Sequence, residues 1–422
     1  MRKKVLYIIA GFGIIFVFTV KAAIFVDIDF LNLEQENPRF IVAYNQIKAV
    51  DAWRLLNSIS TNFTKVKIGI IDSGIDAGHS EFSPEFKEVD LNGTSDFARK
   101  DQDPGGHGTQ VSGIIGANNI SFPNPDNYFS PQMNGILSGV HNLPYSLKVD
   151  FDGGEKSFFN LFKVYGKLFD LAVIRGVDIV NLSKVSTAET PFQCLAYQGA
   201  NGIYALQLLS YFNTLFVVAA GETFPGSITS EDADCSFPAN LGNDLSNVIT
   251  AGGLASDGKN RFVGSPSGNA VNIAAPASDV YAPKPGNEYD EFFGDTSASA
   301  PMVTGVAGLL KAIKPELTPS QIKQILIETA DPIQTGEPDK RIGTGCYANP
   351  SDPVNTGCRL NAEKAVCHQL VLNCVPPSPL VGGNFPISTA PLPQISPAVA
   401  FDGENYLVVW MDARDGQPEH QS

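Results

Sequence analysis

The chain of 422 residues is 43% hydrophobic and carries 39 glycines and 29 prolines with no triplet period, which excludes wholesale disorder and a collagen-like rod. Its 29 basic and 44 acidic side chains leave a net charge of −15, and no Lys/Arg cluster beyond the first four residues offers a footprint for nucleic acid. At roughly 100–200 residues per domain, the length predicts two or three units with ample material for a large core.

At the amino end Arg2, Lys3 and Lys4 precede an apolar run from Val5 to Val20, followed by Lys21-Ala22-Ala23. A basic start, an apolar stretch and small residues describe a secretory signal over residues 1–23, cut after Ala22 or Ala23. The run falls just short of the ~17–25 residues that span a bilayer, so an uncleaved anchor is the alternative. Both readings place the rest at the cell surface or outside it, and after cleavage no stable membrane insertion is expected. A short extension, residues 24–43, follows; it is too short to pack as a domain of its own.

Export changes how the six cysteines read. Cys194, Cys235, Cys346, Cys358, Cys367 and Cys374 lack zinc-type Cys-x-x-Cys spacing, and an oxidising compartment favours disulfides. Local pairing, Cys194–Cys235, Cys346–Cys358 and Cys367–Cys374, is one of about 15 connectivities, and buried free thiols are the alternative.

From Val66 onward, short apolar runs alternate with helical stretches. Strands are predicted at Val66–Ile71, Val177–Asn181, Leu215–Ala220, Val248–Ala251 and Val271–Ala274. Continuous apolar runs bounded by Gly, Asp or Asn suit parallel strands buried on both faces. Amphipathic helices are predicted at Thr109–Ile115, Phe158–Arg175, Gly202–Phe212, Ala300–Ile313 and Pro319–Ala330, the last with Thr318 as N-cap and Pro319 at its first position. The succession implies an α/β fold of three layers, α/β/α, around a mainly parallel central sheet. That domain is expected to occupy residues 44–374.

After Cys374 the composition turns to Pro, Gly and Ser, a linker over residues 375–396. Residues 397–422 then hold two strand-like runs joined by Asp402-Gly403, a hairpin signal. The pattern Ala400-Phe401-Asp402-Gly403, then Tyr406-Leu407-Val408-Val409-Trp410, resembles one unit of a β-propeller-like bacterial repeat. A single hairpin cannot bury its own face, so the sequence is expected to be a piece of a longer protein.

Three segments carry chemistry. Ile70-Ile71-Asp72-Ser73-Gly74 sets an acid at the carboxyl end of an apolar strand, Gly105-Gly106-His107-Gly108-Thr109 sets a His at a helix entrance, and Gly294-Asp295-Thr296-Ser297-Ala298-Ser299-Ala300-Pro301 sets a Ser at the start of another helix. These are the places where an open α/β sheet presents functional residues. A serine hydroxyl is a weak nucleophile until an imidazole takes its proton, which assigns Ser297 as nucleophile and His107 as base. Asp72 would hold the imidazole in the required tautomer, and the Ser297 amide would help bind the oxyanion. His79, His141, His368 and His420 lack such a setting and read as surface or turn residues.

At these motifs the chain resembles the subtilisin-like serine peptidases, the subtilases, in which Asp, His and Ser follow in this order. The resemblance runs from about Tyr44 to Val366. It also rests on Ala52-Trp53, the strand Val177 to Ser183, Val248 to Gly253, Phe262 to Pro276, and Asn361 to Val366. It implies a protein or peptide substrate, a monomer and no cofactor; calcium often stabilises the family, but no acidic loop here defines a site, and metal is left unassigned. A prodomain of several tens of residues is common in the family, and none is visible between Asp27 and Phe40.

Three positions depart from the family. Where it reads Ala-Gly-Asn, this chain has Ala220-Gly221-Glu222. That Asn gives the second oxyanion hydrogen bond, and removing it from subtilisin itself costs ~10²–10³ in turnover. A Glu222 buried against apolar neighbours would be protonated and would donate, which predicts activity at acidic pH; a Glu222 turned to solvent leaves the hole half-built. Asp295 replaces a Gly and predicts a strained turn. At the substrate cleft, Ser183, Lys184 and Val185 stand where Ser-Leu-Gly is usual, which alters substrate preference. The expectation is a secreted serine endopeptidase, weakened where Glu222 leaves the oxyanion site half-built; the alternative is an inactive peptide-binding or surface adhesion protein on the same fold.

Overall fold

The computed structural model describes residues 5–9, 15–19, 38–59, 62–82, 87–89, 103, 105–117, 133–151, 166, 168–198, 212–223, 227, 229–333, 342–343, 357–370, 394–401 and 406–412. Residues Asn37–Cys374 form one compact unit.

Outside that unit, the amino-terminal apolar run contributes β1 (Val5–Ile9) and β2 (Ile15–Thr19), which pair antiparallel. Within the unit, α1 (Pro38–Gln46) and α2 (Ala49–Ser58) lead to β3 (Val66–Asp72), β4 (Lys87–Val89), α3 (His107–Gly116) and β5 (Tyr145–Phe151). Then come β6 (Ile179–Leu182), β7 (Ser186–Thr187), α4 (Pro191–Gln198), β8 (Leu215–Ala219), β9 (Ser236–Phe237), β10 (Val248–Leu254) and β11 (Ile273–Pro276). The hairpin β12 (Val280–Lys284) and β13 (Glu288–Phe293) precedes α5 (Thr296–Ile313) and α6 (Pro319–Glu328). β14 (Asp331–Ile333), β15 (Gly357–Arg359) and α7 (Ala362–Leu370) close the unit. β16 (Gln394–Phe401) and β17 (Tyr406–Asp412), outside it, pair antiparallel as the hairpin signal predicts.

The nine-stranded sheet runs β14-β15-β11-β10-β8-β6-β3-β5-β4. Its pairs are parallel except β14 with β15. Side chains alternate across a strand, and on β3 the alternation is buried on both sides. Ile71 joins a core cluster with Leu171, Val177, Phe216 and Phe237, while Ile68 lies against Gly308 of α5. Helices therefore cover both faces, the three-layer α/β/α arrangement expected from the sequence. The chain starts the sheet at β3, runs outward to β4 and β5, and returns to β6 on the other side. The crevice beyond the carboxyl ends of β3 and β6 is thus the topological switch point, where open α/β sheets bind their ligands.

All five predicted strands form, the last shifted to Ile273–Pro276. The predicted helices fare less uniformly. The runs at Thr109, Ala300 and Pro319 are helical. In the stretch Phe158–Arg175 the described part is a short α turn passing into a π turn at Asp170–Ile174, and in Gly202–Phe212 all but Phe212 lies outside the described residues. The Cys194–Cys235 disulfide is present. Cys358 and Cys367 are disulfide-bonded too, whereas Cys346 and Cys374 lie outside the described residues. Among the described residues no helix is long and apolar enough to cross a membrane.

The amino end of α6 is closed by a capping box: Thr318 accepts from the Gln321 amide, and the Gln321 side chain accepts from the Thr318 amide. Replacing an N-cap hydroxyl by a methyl group costs about 1 kcal/mol. Thr318→Ala is expected to lower the unfolding free energy by that amount, read as a lower urea midpoint at an unchanged slope, and an unchanged midpoint would show that the cap does not stabilise α6.

Candidate active site

Asp72 ends β3 and Ser183 follows β6, so the two stand on neighbouring strands at the switch point. Asp72 is fully buried. Its Oδ1 accepts from His107 Nδ1 at 2.7 Å, from the Ser73 amide at 2.7 Å and from Ser73 Oγ at 3.2 Å. A carboxylate only accepts, so Nδ1 carries the proton and Nε2 is left as the basic nitrogen. Burial pushes the Asp72 pKa up, but the His107 charge and hydrogen bond, the Ser73 amide and the Lys184 charge outweigh it and hold it below the ordinary value. For His107, burial pulls the pKa down; the Asp72 charge and hydrogen bond overcome that and leave it raised, with Lys184 opposing.

His107 opens α3, and its position is fixed by a carboxylate that spacing alone does not single out. Asp103, fully buried, accepts from the Thr109 amide at 2.7 Å, Thr109 Oγ1 at 2.6 Å, the Gly106 amide at 3.1 Å and Ser73 Oγ at 2.7 Å. An acid shortly ahead of a helix start is the signal the sequence does carry for it. Gly108 donates to Ser73 Oγ at 3.0 Å, and a Cβ there would lie 2.0 Å from the Gly74 carbonyl oxygen. Only glycine lets α3 come this close to the loop after β3. The ring of Phe293 stands edge-on to the imidazole, centroids 5.7 Å apart.

Ser297 lies in the first turn of α5, where an amide has no intrahelical acceptor and stays available to an anion. Pro301 lacks the N–H that would bond the carbonyl four residues back. That carbonyl belongs to Ser297, and Ser183 Oγ donates to it at 3.1 Å. Asn181 Nδ2 donates to Ser183 Oγ at 2.9 Å and Thr304 Oγ1 donates to Asn181 Oδ1 at 2.8 Å, so the relay is closed by buried side chains. Ser297 Oγ in turn donates to the Ser183 carbonyl at 2.9 Å. Among the described residues, then, the acid and imidazole are joined, while the serine hydroxyl rests on Ser183 rather than on His107.

Glu222 is exposed. The burial that a protonated, donating Glu222 requires is missing, and the expectation of an acidic activity optimum loses its physical basis. Lys184 is exposed, and its charge reaches both Asp72 and His107; Val185 is half-buried. The surface assignment of the other histidines fails at His79, which is buried, takes a hydrogen bond from the Glu81 amide on Nδ1 and bonds the Glu288 carbonyl through Nε2. No group of three or more His, Cys, Asp or Glu side chains suited to a metal occurs among the described residues.

Asp295 has φ 58° and ψ −177°, a backbone region that is nearly glycine's own. Burial raises its pKa, the Glu222 charge raises it further, and the His107 charge offsets part. An acid raised in the folded state loses stability on ionising: the penalty is absent below the ordinary 3.8 and grows as pH rises through the folded value. Asp295→Asn is expected to stabilise the chain at pH 7 and much less near pH 3.5. Asp295→Gly, which also relieves the backbone, should add about 1 kcal/mol at either pH. Denaturant midpoints at the two pH values measure both effects, and a glycine variant no more stable than the parent would refute the strain.

Residues 64–345 match the Subtilase family. Subtilisin DY of Bacillus licheniformis is 30% identical over 269 residues, 63% of this chain and 83% of that protein. Subtilisin-like protease 1 of Plasmodium vivax is 28% identical over 302 residues, 64% of this chain but only 44% of that protein's length. Among solved structures, the prenylagaramide maturation protease PagA (20% identical, TM-score 0.52, 76% of this chain and 98% of that one) shares the fold. So does MycP1 without its N-terminal propeptide (21%, TM-score 0.51, 77% and 97%). With the family match running through the sheet, the Asp72 and His107 elements and the helix of Ser297, this chain belongs to the subtilases.

Proposed function

We propose that the protein is an exported serine endopeptidase in which Ser297 attacks the peptide carbonyl, His107 moves the proton and Asp72 orients His107. The observation that carries this reading is the 2.7 Å bond between His107 Nδ1 and the buried Asp72, which leaves Nε2 as a base beside the turn that holds Ser297. Phe293 against the imidazole and the His107 charge felt at Asp295 support that adjacency. The Ser297 hydroxyl leaves the Ser183 carbonyl, gives its proton to His107 Nε2, and its oxygen bonds the substrate carbonyl carbon. The imidazolium then protonates the departing amine as the C–N bond breaks. Water, deprotonated by the same nitrogen, attacks the acyl-enzyme and releases the acid and the serine.

The oxyanion is received by the Ser297 amide. Glu222, exposed as it is, supplies no second donor as a carboxylate. Losing that donor is worth about 3–4 kcal/mol of barrier, whereas an exposed charge is screened to ~0–1 kcal/mol. The missing hydrogen bond therefore outweighs the wrong charge. The export and the β-propeller-like tail belong to the same reading, with the amino-terminal run as a signal and the β16–β17 pair as part of a repeat.

A fluorophosphonate probe is expected to label the wild-type chain and not Ser297→Ala; an unlabelled wild type between pH 4 and 9 would favour a peptide-binding protein. Because the base must be neutral and the His107 pKa is raised, the labelling rate should fall on its acid side above about pH 6.5. A limb well below 6 would detach His107 from Asp72. Glu222→Asn should raise turnover about tenfold or more at neutral pH, with Glu222→Ala gaining far less. Equal gains would mean that charge, not the donor, sets the defect.

A further inference from the structure

The cleft beside the nucleophile has two walls. One is the segment leaving β6, held to Ser297 by the Ser183 carbonyl and hydroxyl. The other is Gly221 after β8, whose amide and carbonyl both bond Thr296 Oγ1, at 3.1 and 2.7 Å. A peptide whose carbonyl reaches Ser297 while its backbone runs along residues 183–185 must place its acyl-side side chain between these walls.

That space is already occupied. From the Cβ position of Gly221, whose φ is 112°, Ser236 Oγ lies at 2.9 Å, Thr187 Oγ1 at 3.1 Å and Val185 Cγ2 at 3.2 Å. Not even a Cβ on Gly221 would fit without displacing a neighbour, and Val185, Thr187 and Ser236 together close the space on that side of it. None of the three is free to swing away. Val185 packs on the core cluster of the sheet. Thr187 Oγ1 and Ser236 Oγ share a hydrogen bond at 3.0 Å, and β7 and β9 pair through Thr187 and Ser236. The next rung is the Ala188 amide donating to the Cys235 carbonyl at 2.9 Å, and Cys235 is tied to Cys194 of α4 by the disulfide.

We infer that this chain cleaves after small residues, Gly, Ala or Ser, because Val185, Thr187 and Ser236 close the slot that a larger acyl-side side chain would enter. The inference rests on the peptidase reading above and adds the substrate class to it. Overpacking a rigid pocket is resisted, and pocket volume discriminates side chains by about tenfold or more.

The test compares succinyl-Ala-Ala-Pro-Ala and succinyl-Ala-Ala-Pro-Phe p-nitroanilides on the full chain, with fluorophosphonate labelling of Ser297 alongside. The Ala substrate should lead the Phe substrate in kcat/KM by about tenfold or more. Val185→Gly should move that ratio toward Phe by a similar factor, and Val185→Ala by part of it. A labelled wild type that cuts the Phe substrate as well as the Ala substrate overturns the inference and leaves the peptidase reading standing. The inference also falls, and the peptidase reading stands, if both Val185 variants fold, by thermal unfolding, and neither moves the ratio. Absence of labelling together with absence of cleavage sinks both.

Discussion

A carboxylate without solvent contact is the constraint around which the site is arranged. Asp72 has 0% exposure, and an unpaired charge so placed costs several kcal/mol. The compensation comes to one oxygen, from an imidazole and an amide, with the Ser73 hydroxyl, whose one proton is shared with Asp103, 3.2 Å away. Each of those donors imposes a demand of its own. The Ser73 hydroxyl is held by Asp103 and by the Gly108 amide, which requires glycine at 108. Asp103, binding Thr109 twice, fixes the end of α3 from which His107 projects. The imidazole is therefore oriented by two buried acids, one touching it and one acting through the helix.

Around Ser297 the organising fact is a proline. Pro301 deprives the Ser297 carbonyl of its helical partner, and Ser183 Oγ takes that place. The bond fastens the segment after β6 to α5 at Ser297, and the Ser297 hydroxyl donates to the Ser183 carbonyl alongside it. Turning that hydroxyl to His107 gives up one neutral hydrogen bond, a net ~0.5–1.5 kcal/mol. This is small beside the barrier a missing oxyanion donor leaves standing. The resting bond of the Ser297 hydroxyl is thus a small obstacle to the proposed mechanism, smaller than the donor that mechanism lacks at Glu222.

What the sequence makes legible follows from what a linear pattern can encode. Val66–Asp72, Leu215–Ala219 and Val248–Leu254 read as strands because both faces are buried and nearly every side chain is apolar. β5 does not read as one because Lys148 and Asp150 interrupt it. In the antiparallel β12–β13 hairpin, β13, with Glu288, Asp290 and Glu291, carries no buried run, although Val280–Pro283 of its partner β12 are buried. In the site, Asp72, His107 and Ser297 are visible through their glycine-rich and small-residue settings, and the strain at Asp295 through the loss of a glycine. Asp103, Phe293 and Asn181 act through contacts, with Ser73, His107 and Thr304 in turn, between segments far apart in the chain, which spacing does not report. The Glu222 case is the reverse: the departure is legible, but its consequence turns on exposure, a property of the folded surface.

The departures at this cleft divide by kind once their surroundings are known. In the proposed mechanism Glu222 withholds a hydrogen bond where charge would develop, and so would act on the transition state. Asp295 strains the turn and raises an acid beside Glu222, and so acts mainly on the stability of the folded chain. Val185 crowds the space beside Gly221, and on the substrate inference it would act on which peptides are accepted. Lys184, exposed, lowers the pKa of His107 against the pull of Asp72 and keeps more of the base neutral. Its effect therefore runs opposite to that of the acid. Substitutions that look like a uniform decay of one motif become, in the proposed mechanism, a weaker oxyanion site, a costlier turn, a narrower slot and a readier base. In the proposed mechanism the first and the last of these bear on the chemical step, in opposite directions, while the turn bears on stability and the slot on the choice of substrate.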